Sequence, residues 1–163
     1  VNLGLFLHFN WVLSLGMAKS IFSGWNFDNL SLAIPAEVWV LTAFVVVFTF
    51  AIAIFKDIPD MEGDKQYNIT TFTIKLGKPA VFNLSRWVLT VCYLGAVLAG
   101  VLVLPKVNLV FLAVTHLVAL GLMWFWSAKV ELEDKMEIAQ FYQFIWKLFF
   151  LEYIIFPMAC LLG

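Results

Sequence analysis

Long apolar runs, separated by short polar breaks, dominate the pattern of this chain. Five runs lie near residues 1–18, 38–55, 87–104, 109–127 and 141–162. Each approaches the ~20 residues a helix needs to cross a hydrocarbon core. Backbone in lipid has no water to bond, so each run predicts a helix that satisfies its own N–H and C=O groups. The β-branched run Val45-Val46-Val47 does not alter that expectation. The breaks carry suitable residues: Ser23-Gly24 and Pro35, an acidic stretch over 56–65, Pro105-Lys106, and a charged run over 131–137. The expected fold is an all-α polytopic membrane bundle with about five spans.

Composition strengthens this picture. Hydrophobic residues make up 63% of the 163 residues and charged residues 13%, and the mean hydropathy is +0.95. A soluble domain carries about a quarter of its residues charged, so water cannot be the solvent for most of this surface. Nor is there the basic stripe that a nucleic acid requires. Cys92 and Cys160 both lie within apolar runs and read as packing residues, without disulfide or metal spacing. The chain opens on Val1, inside an apolar run and without the basic start of a signal peptide. The expectation is the C-terminal half of one longer membrane domain, 1–163, with an N-terminal half preceding it.

The basic residues orient the bundle. If the five runs alternate direction, Lys56, Lys65, Lys75, Lys78, Arg86, Lys129, Lys135 and Lys147 fall on or near one side, against Lys19 and Lys106 on the other. The positive-inside rule places the richer side in the cytoplasm or its equivalent, and the acidic stretch with it.

That stretch reads Phe55-Lys56-Asp57-Ile58-Pro59-Asp60-Met61-Glu62-Gly63-Asp64-Lys65 and directly follows a spanning run. At ~100° per residue, positions 57, 60 and 64 share a helix face within about 60°, and Glu62 points away. Pro59 and Gly63 work against a regular helix here. Three carboxylates converging at a low-dielectric boundary repel one another. A hard divalent cation relieves the conflict, and oxygen-only donors suit Mg²⁺, which also bridges carboxylates to phosphate oxygens. Lys56 and Lys65 flank the acids and would neutralise remaining phosphate charge. Spacing alone leaves two other readings open: a solvated loop that keeps a helix end in water, and a site for a transported cation.

The wider string narrows the choice. Lys56-Asp57-Ile58-Pro59-Asp60-x-x-Gly63-Asp64, followed by Ile69-x-Thr71 and Leu76-Gly77, resembles the second aspartate-rich motif of the UbiA-type intramembrane aromatic prenyltransferases. Phe141-Tyr142-Gln143-Phe144-Ile145-Trp146-Lys147, continuing to Tyr153, resembles the ending of the homogentisate prenyltransferase branch, in its cyanobacterial form more than its plant form. The resemblance implies a nine-helix bundle around a lipid-open cavity, in which two aspartate-rich motifs hold Mg²⁺ and a prenyl diphosphate. Asp60 and Asp64 match the DxxxD of the second motif, and Asp57 is the acid preceding it. The first motif and the first four helices have no counterpart here, so this piece alone is not expected to be a competent enzyme. The implied reaction transfers phytyl from phytyl diphosphate to homogentisate with loss of CO₂, in tocopherol biosynthesis. The implied metal ligands are Asp57, Asp60 and Asp64, with Asp60 and Asp64 catalytic and Lys56 and Lys65 on the diphosphate. The implied location is a thylakoid or plasma membrane of a cyanobacterium, or a plastid membrane of a plant. Related branches take longer prenyl chains or other phenols.

Two further classes compete with this reading. Membrane phosphotransferases of alcohols also hold metal on helically spaced aspartates, but need Gly and Asp positions that 65–80 does not supply. A cation transporter half needs acids in mid-span, and only Glu152 qualifies. Glu152 reads as a partner for another helix or as a substrate contact, and Lys147 as close enough to the interface to snorkel. His8 and His116 stand alone in apolar runs and read as satisfied packing residues rather than general bases. Asn2, Asn10 and Ser14 share a face that either lines the cavity or bonds a neighbouring helix. Glu131 and Lys135 can pair at i,i+4 in a solvated helix end. Asn68-Ile69-Thr70 matches a glycosylation sequon on the wrong side for its use.

Overall fold

Pro35, with its fixed φ of −55°, opens the first helix of the computed structural model, which describes residues 35–67 and 72–163 and gives backbone alone at Glu62, Asp64, Lys65 and Phe72. The run over 1–18, with Asn2, His8, Asn10 and Ser14, lies outside the described residues, as does the sequon at 68–70.

Helix α1 spans Ala36–Phe55. It buries Leu41, Phe44, Val45, Phe48, Ala51, Ile52 and Phe55, an i, i+3, i+4 stripe, and leaves Trp39, Val46 and Phe50 outside. Helix α2, Asp57–Gln66, follows after a single residue. Lys56 between them keeps helical angles, φ −58° and ψ −28°, so the chain passes from α1 to α2 without leaving the α region. Pro59 explains the break: it has no N–H for the Phe55 carbonyl, and its ring crowds that carbonyl.

A short helix α3, Phe72–Leu76, ends at Gly77. Gly77 takes φ 83° and ψ 153°, a region open essentially to glycine alone. Its N–H closes α3 on the Thr73 carbonyl at 2.9 Å. Helix α4, Lys78–Leu102, starts immediately after, with Pro79 in its first turn where a missing donor costs nothing. Helix α5, Leu109–Ser127, is capped by Asn108, whose side chain accepts from Phe111 N at 3.0 Å. Helix α6, Lys135–Leu161, is capped by Asp134, which accepts from Met136 N at 2.7 Å. The Glu137 carboxylate reaches back to the Glu131 N–H at 2.7 Å and braces the same turn.

Four of these helices are long and apolar enough to cross a membrane, and the chain is an integral membrane protein. The expected runs at 38–55 and 109–127 coincide with α1 and α5. Two others begin earlier than hydropathy suggests: α4 at Lys78 rather than 87, and α6 at Lys135 rather than 141. An apolar window finds only the lipid-facing stretch, while Pro79 and the Asp134 cap start helices in polar sequence.

The long helices close a ring in which α1 packs on α4 and α6, α4 on α5, and α5 on α6. Hydroxyls inside it bond back to their own helices, Ser85 to Val81 O at 3.0 Å and Thr115 to Phe111 O at 2.7 Å, so little polarity faces lipid unmet. Cys92 donates to the Phe44 carbonyl at 3.4 Å, joining α4 to α1 as a packing residue. At the far end, Asn108 N–H donates to Ala159 O at 2.9 Å, stitching the α4–α5 connection to the end of α6. Helix α2 lies across the opposite end, touching α1, α3, α4 and α6.

Candidate functional site at the acidic end of the bundle

Ile58 positions the acidic helix. It is fully buried in the core shared by the long helices, so that side of α2 faces the bundle. The register then puts positions 57, 60 and 64 on a face roughly a third of a turn round from Ile58, within about 60° of each other. The helix persists through both Pro59 and Gly63, so the feared disruption amounts to the break at Lys56. Asp57 is half-buried, and Asp60 and Lys56 are exposed. The acids therefore sit between packed protein and water. Among the described side chains, no three His, Cys, Asp or Glu groups converge closely enough to hold a metal ion; Asp64 contributes its backbone position only. In donor chemistry and register the segment fits Mg²⁺: oxygen donors alone, on one face, with cationic residues at either end.

Beneath α2 lies an aromatic floor that sequence reading did not single out. Phe55 of α1, Phe82 of α4 and Phe141 of α6 are all buried, with ring centroids 5.5 Å apart in each pairing. Tyr142 stacks on Phe55 at 5.8 Å. The signal was present in the aromatic string over 141–153, but only packing reveals which rings turn inward. Beside this end, Lys78 of α4 reaches Glu133 at 3.3 Å; the lysine is 7% exposed and the glutamate 92%.

A second polar group lies well away from the acids. His116 of α5 and Glu152 of α6 are 1% and 2% exposed, with Nε2 and Oε1 3.1 Å apart. His116 Nδ1 lies 2.9 Å from the Leu112 carbonyl, which can only accept, so Nδ1 carries a proton. Phe44 and Tyr93 close the site edge-on. Phe44 precedes Phe55 by eleven residues, or about 16 Å of helix. The pair cannot reach the acidic end. It joins two helices, as one of the two readings of Glu152 expects, and His116 is a buried packing residue with partners on its own helix and on α6.

A match to the UbiA prenyltransferase family covers residues 5–148, taking in α2 and the aromatic floor. The chain belongs to the UbiA prenyltransferase family. Among curated relatives of this family member, homogentisate phytyltransferase of Synechocystis sp. (strain ATCC 27184 / PCC 6803 / Kazusa) is 48% identical over 98% of this chain and 47% of its own length. Homogentisate geranylgeranyltransferase of Triticum aestivum is 36% identical over 71% of this chain and 28% of its own. Naringenin 8-dimethylallyltransferase 2, chloroplastic, of Sophora flavescens is 31% identical over 76% of this chain and 30% of its own. The chain thus spans about half the length of the Synechocystis protein and under a third of the other two. No solved structure matches it significantly. The resemblance drawn from the acidic and aromatic strings is borne out at the level of the family, with a homogentisate phytyltransferase among its relatives.

Proposed function

We propose that the full-length protein transfers a phytyl group from phytyl diphosphate to homogentisate in a Mg²⁺-dependent, decarboxylating reaction, and that residues 1–163 supply half of the site. The observation that carries this is the placement of Asp57, Asp60 and Asp64 on one face of α2, across the end of an apolar bundle, with Lys56 and Lys65 alongside. The relatives' names support the substrate classes.

In this reading Asp57, Asp60 and Asp64 would hold the metal, which would supply electrostatic stabilisation of the leaving diphosphate. Lys56 and Lys65 bind the phosphate oxygens and orient the donor. The C1–O bond of the donor breaks, and the electron-rich ring forms a new C–C bond at C1. The attacked ring carbon loses its proton, and the carboxylate leaves as CO₂ while the carbon it leaves takes up a proton to become the methyl group, giving a methyl-phytyl-benzoquinol and free diphosphate. Phe55, Phe82 and Phe141 keep the end of the bundle beneath α2 dry, which protects the developing allylic cation from water. The acidic end faces the cytoplasm or stroma in this reading, in line with the concentration of Lys and Arg there.

The test is prenyl transfer by full-length protein carrying Asp60→Ala or Asp64→Ala. Each substitution should reduce turnover by at least about 100-fold, the scale seen when a charge-stabilising group is removed, while the protein still folds. Full activity in both variants would remove these acids from the mechanism. A second reading, with geranylgeranyl diphosphate or a different phenol as substrate, is favoured by the wheat and Sophora relatives. Competition between donors, and between acceptors, in one assay separates the two.

A further inference from the structure

We propose that Arg86 and the rings around it bind the headgroup of an anionic glycerolipid, in the leaflet on the same side as the acidic helix. Helix α4 has 25 residues, about 37 Å, against a hydrocarbon core of about 30 Å, so it overshoots the core. Arg86 lies eight residues, about 12 Å, in from Lys78. Its guanidinium sits 4.0 Å over the ring of Trp124, and Trp124 is less than one turn from the end of α5 at Ser127. That places the cation where the apolar core gives way to headgroups, at the level of an aromatic belt.

The stack is held in place. The Trp124 indole N–H donates to Thr90 Oγ1 at 2.9 Å, and Thr90 Oγ1 donates to the Arg86 carbonyl at 2.8 Å. Phe82 lies 5.6 Å from the guanidinium carbon, and Trp87 meets Trp124 edge-on. Yet among the described residues the charge is not answered. Arg86 Nε is buried without a hydrogen-bond partner, and neither the Lys78–Glu133 ion pair nor the His116–Glu152 contact involves it. A guanidinium cannot shed its proton, and an unpaired one at the edge of lipid is costly. A phosphate or sulfonate accepts the guanidinium fork in bidentate fashion. A lipid, rather than a free anion, is the occupant because the surround is apolar: Trp87 and Phe125 are both more than half exposed. Lys129, 4.0 Å over Phe125, places a second cation at the same rim.

The experiment uses full-length protein in phosphatidylcholine nanodiscs with either spin-labelled phosphatidylglycerol or spin-labelled phosphatidylcholine. Electron paramagnetic resonance then measures the fraction of label held by protein. The wild type should hold phosphatidylglycerol over phosphatidylcholine by about fivefold, the preference that one interfacial cation supplies. Arg86→Ala should lose that preference, while Lys106→Ala, at the other end of the bundle, should keep it. If Arg86→Ala fails to fold by circular dichroism, Trp124→Leu gives the same reading, since it leaves the charge but removes its support. Equal retention of both lipids by the wild type would overturn the proposal, as would a preference that survives loss of Arg86 or, in its place, of Trp124.

Discussion

His116 on α5 and Glu152 on α6 meet 3.1 Å apart in the interior of the bundle, almost wholly shut off from its surroundings. Their approach lacks the alignment of a hydrogen bond, yet each is the polar neighbour nearest the other's buried atom across the α5–α6 interface. Removing one partner strands the other as a buried polar group, at a cost of roughly 1–3 kcal/mol. His116→Leu and Glu152→Leu should each destabilise the protein by about that much. The double variant should lose markedly less than the sum. Reversible unfolding in mixed detergent micelles measures all three, and strict additivity would show that the two side chains do not act as a pair.

Gly77 joins α3 to α4 in a backbone conformation that a side chain resists. Gly77→Ala should cost about 1–3 kcal/mol. A melting temperature equal to the wild type's would mean the joint relaxes freely.

Phe141 is the member of the aromatic floor that α6 contributes, in contact with both Phe55 and Phe82. Phe141→Ala should destabilise by about 3–5 kcal/mol through the cavity it leaves. Tyr142→Ala, at a half-buried position, should cost clearly less. Thermal melts of the two variants side by side decide it; the reverse ranking would mean that Phe141 is not at the centre of that packing.

Lys56 and Lys65 are expected to bind the donor and not the acceptor. Each Lys→Ala change should raise KM for the prenyl diphosphate about tenfold, the loss of one charge-assisted hydrogen bond, and leave KM for the phenol unmoved. Equal shifts in both constants would assign the lysines to the general shape of the site.

Stripping divalent cations with a chelator should abolish turnover by the full-length enzyme, and Mg²⁺ should restore it. Ca²⁺ should restore it poorly, since it prefers longer and more numerous oxygen contacts. Undiminished activity in the chelator would exclude the metal role given to Asp57, Asp60 and Asp64.

Much of this arrangement was readable from residue order, because lipid imposes one strong rule on backbone. The apolar runs at 38–55, 87–104, 109–127 and 141–162 fall in helices, and the acidic stretch forms one as well, although Pro59 and Gly63 argue in sequence against a regular helix there. What escaped was whatever depends on neighbours distant in sequence. Arg86 looked like one more basic residue on the richer side; only the α4–α5 contact brings Trp124 over it. Glu152 and His116 could be flagged singly, but their meeting needs the α5–α6 interface. The starts of α4 and α6 were missed because caps, not hydropathy, set them. The role of the acids is carried by chemistry and register, not by a converged cluster of described side chains.

Ile58 has no chemistry of its own, yet it acts as the gear tooth that times the acidic helix. Because it is seated in the core, the direction of every residue after it is counted from that point. Deleting or inserting one residue between Ile58 and Asp64 would rotate the later acids by about 100° and scatter the trio. The stretch should therefore tolerate exchanges of Met61 or Glu62 far better than any change in its length, a constraint that reads as spacing in the sequence but originates in a buried isoleucine.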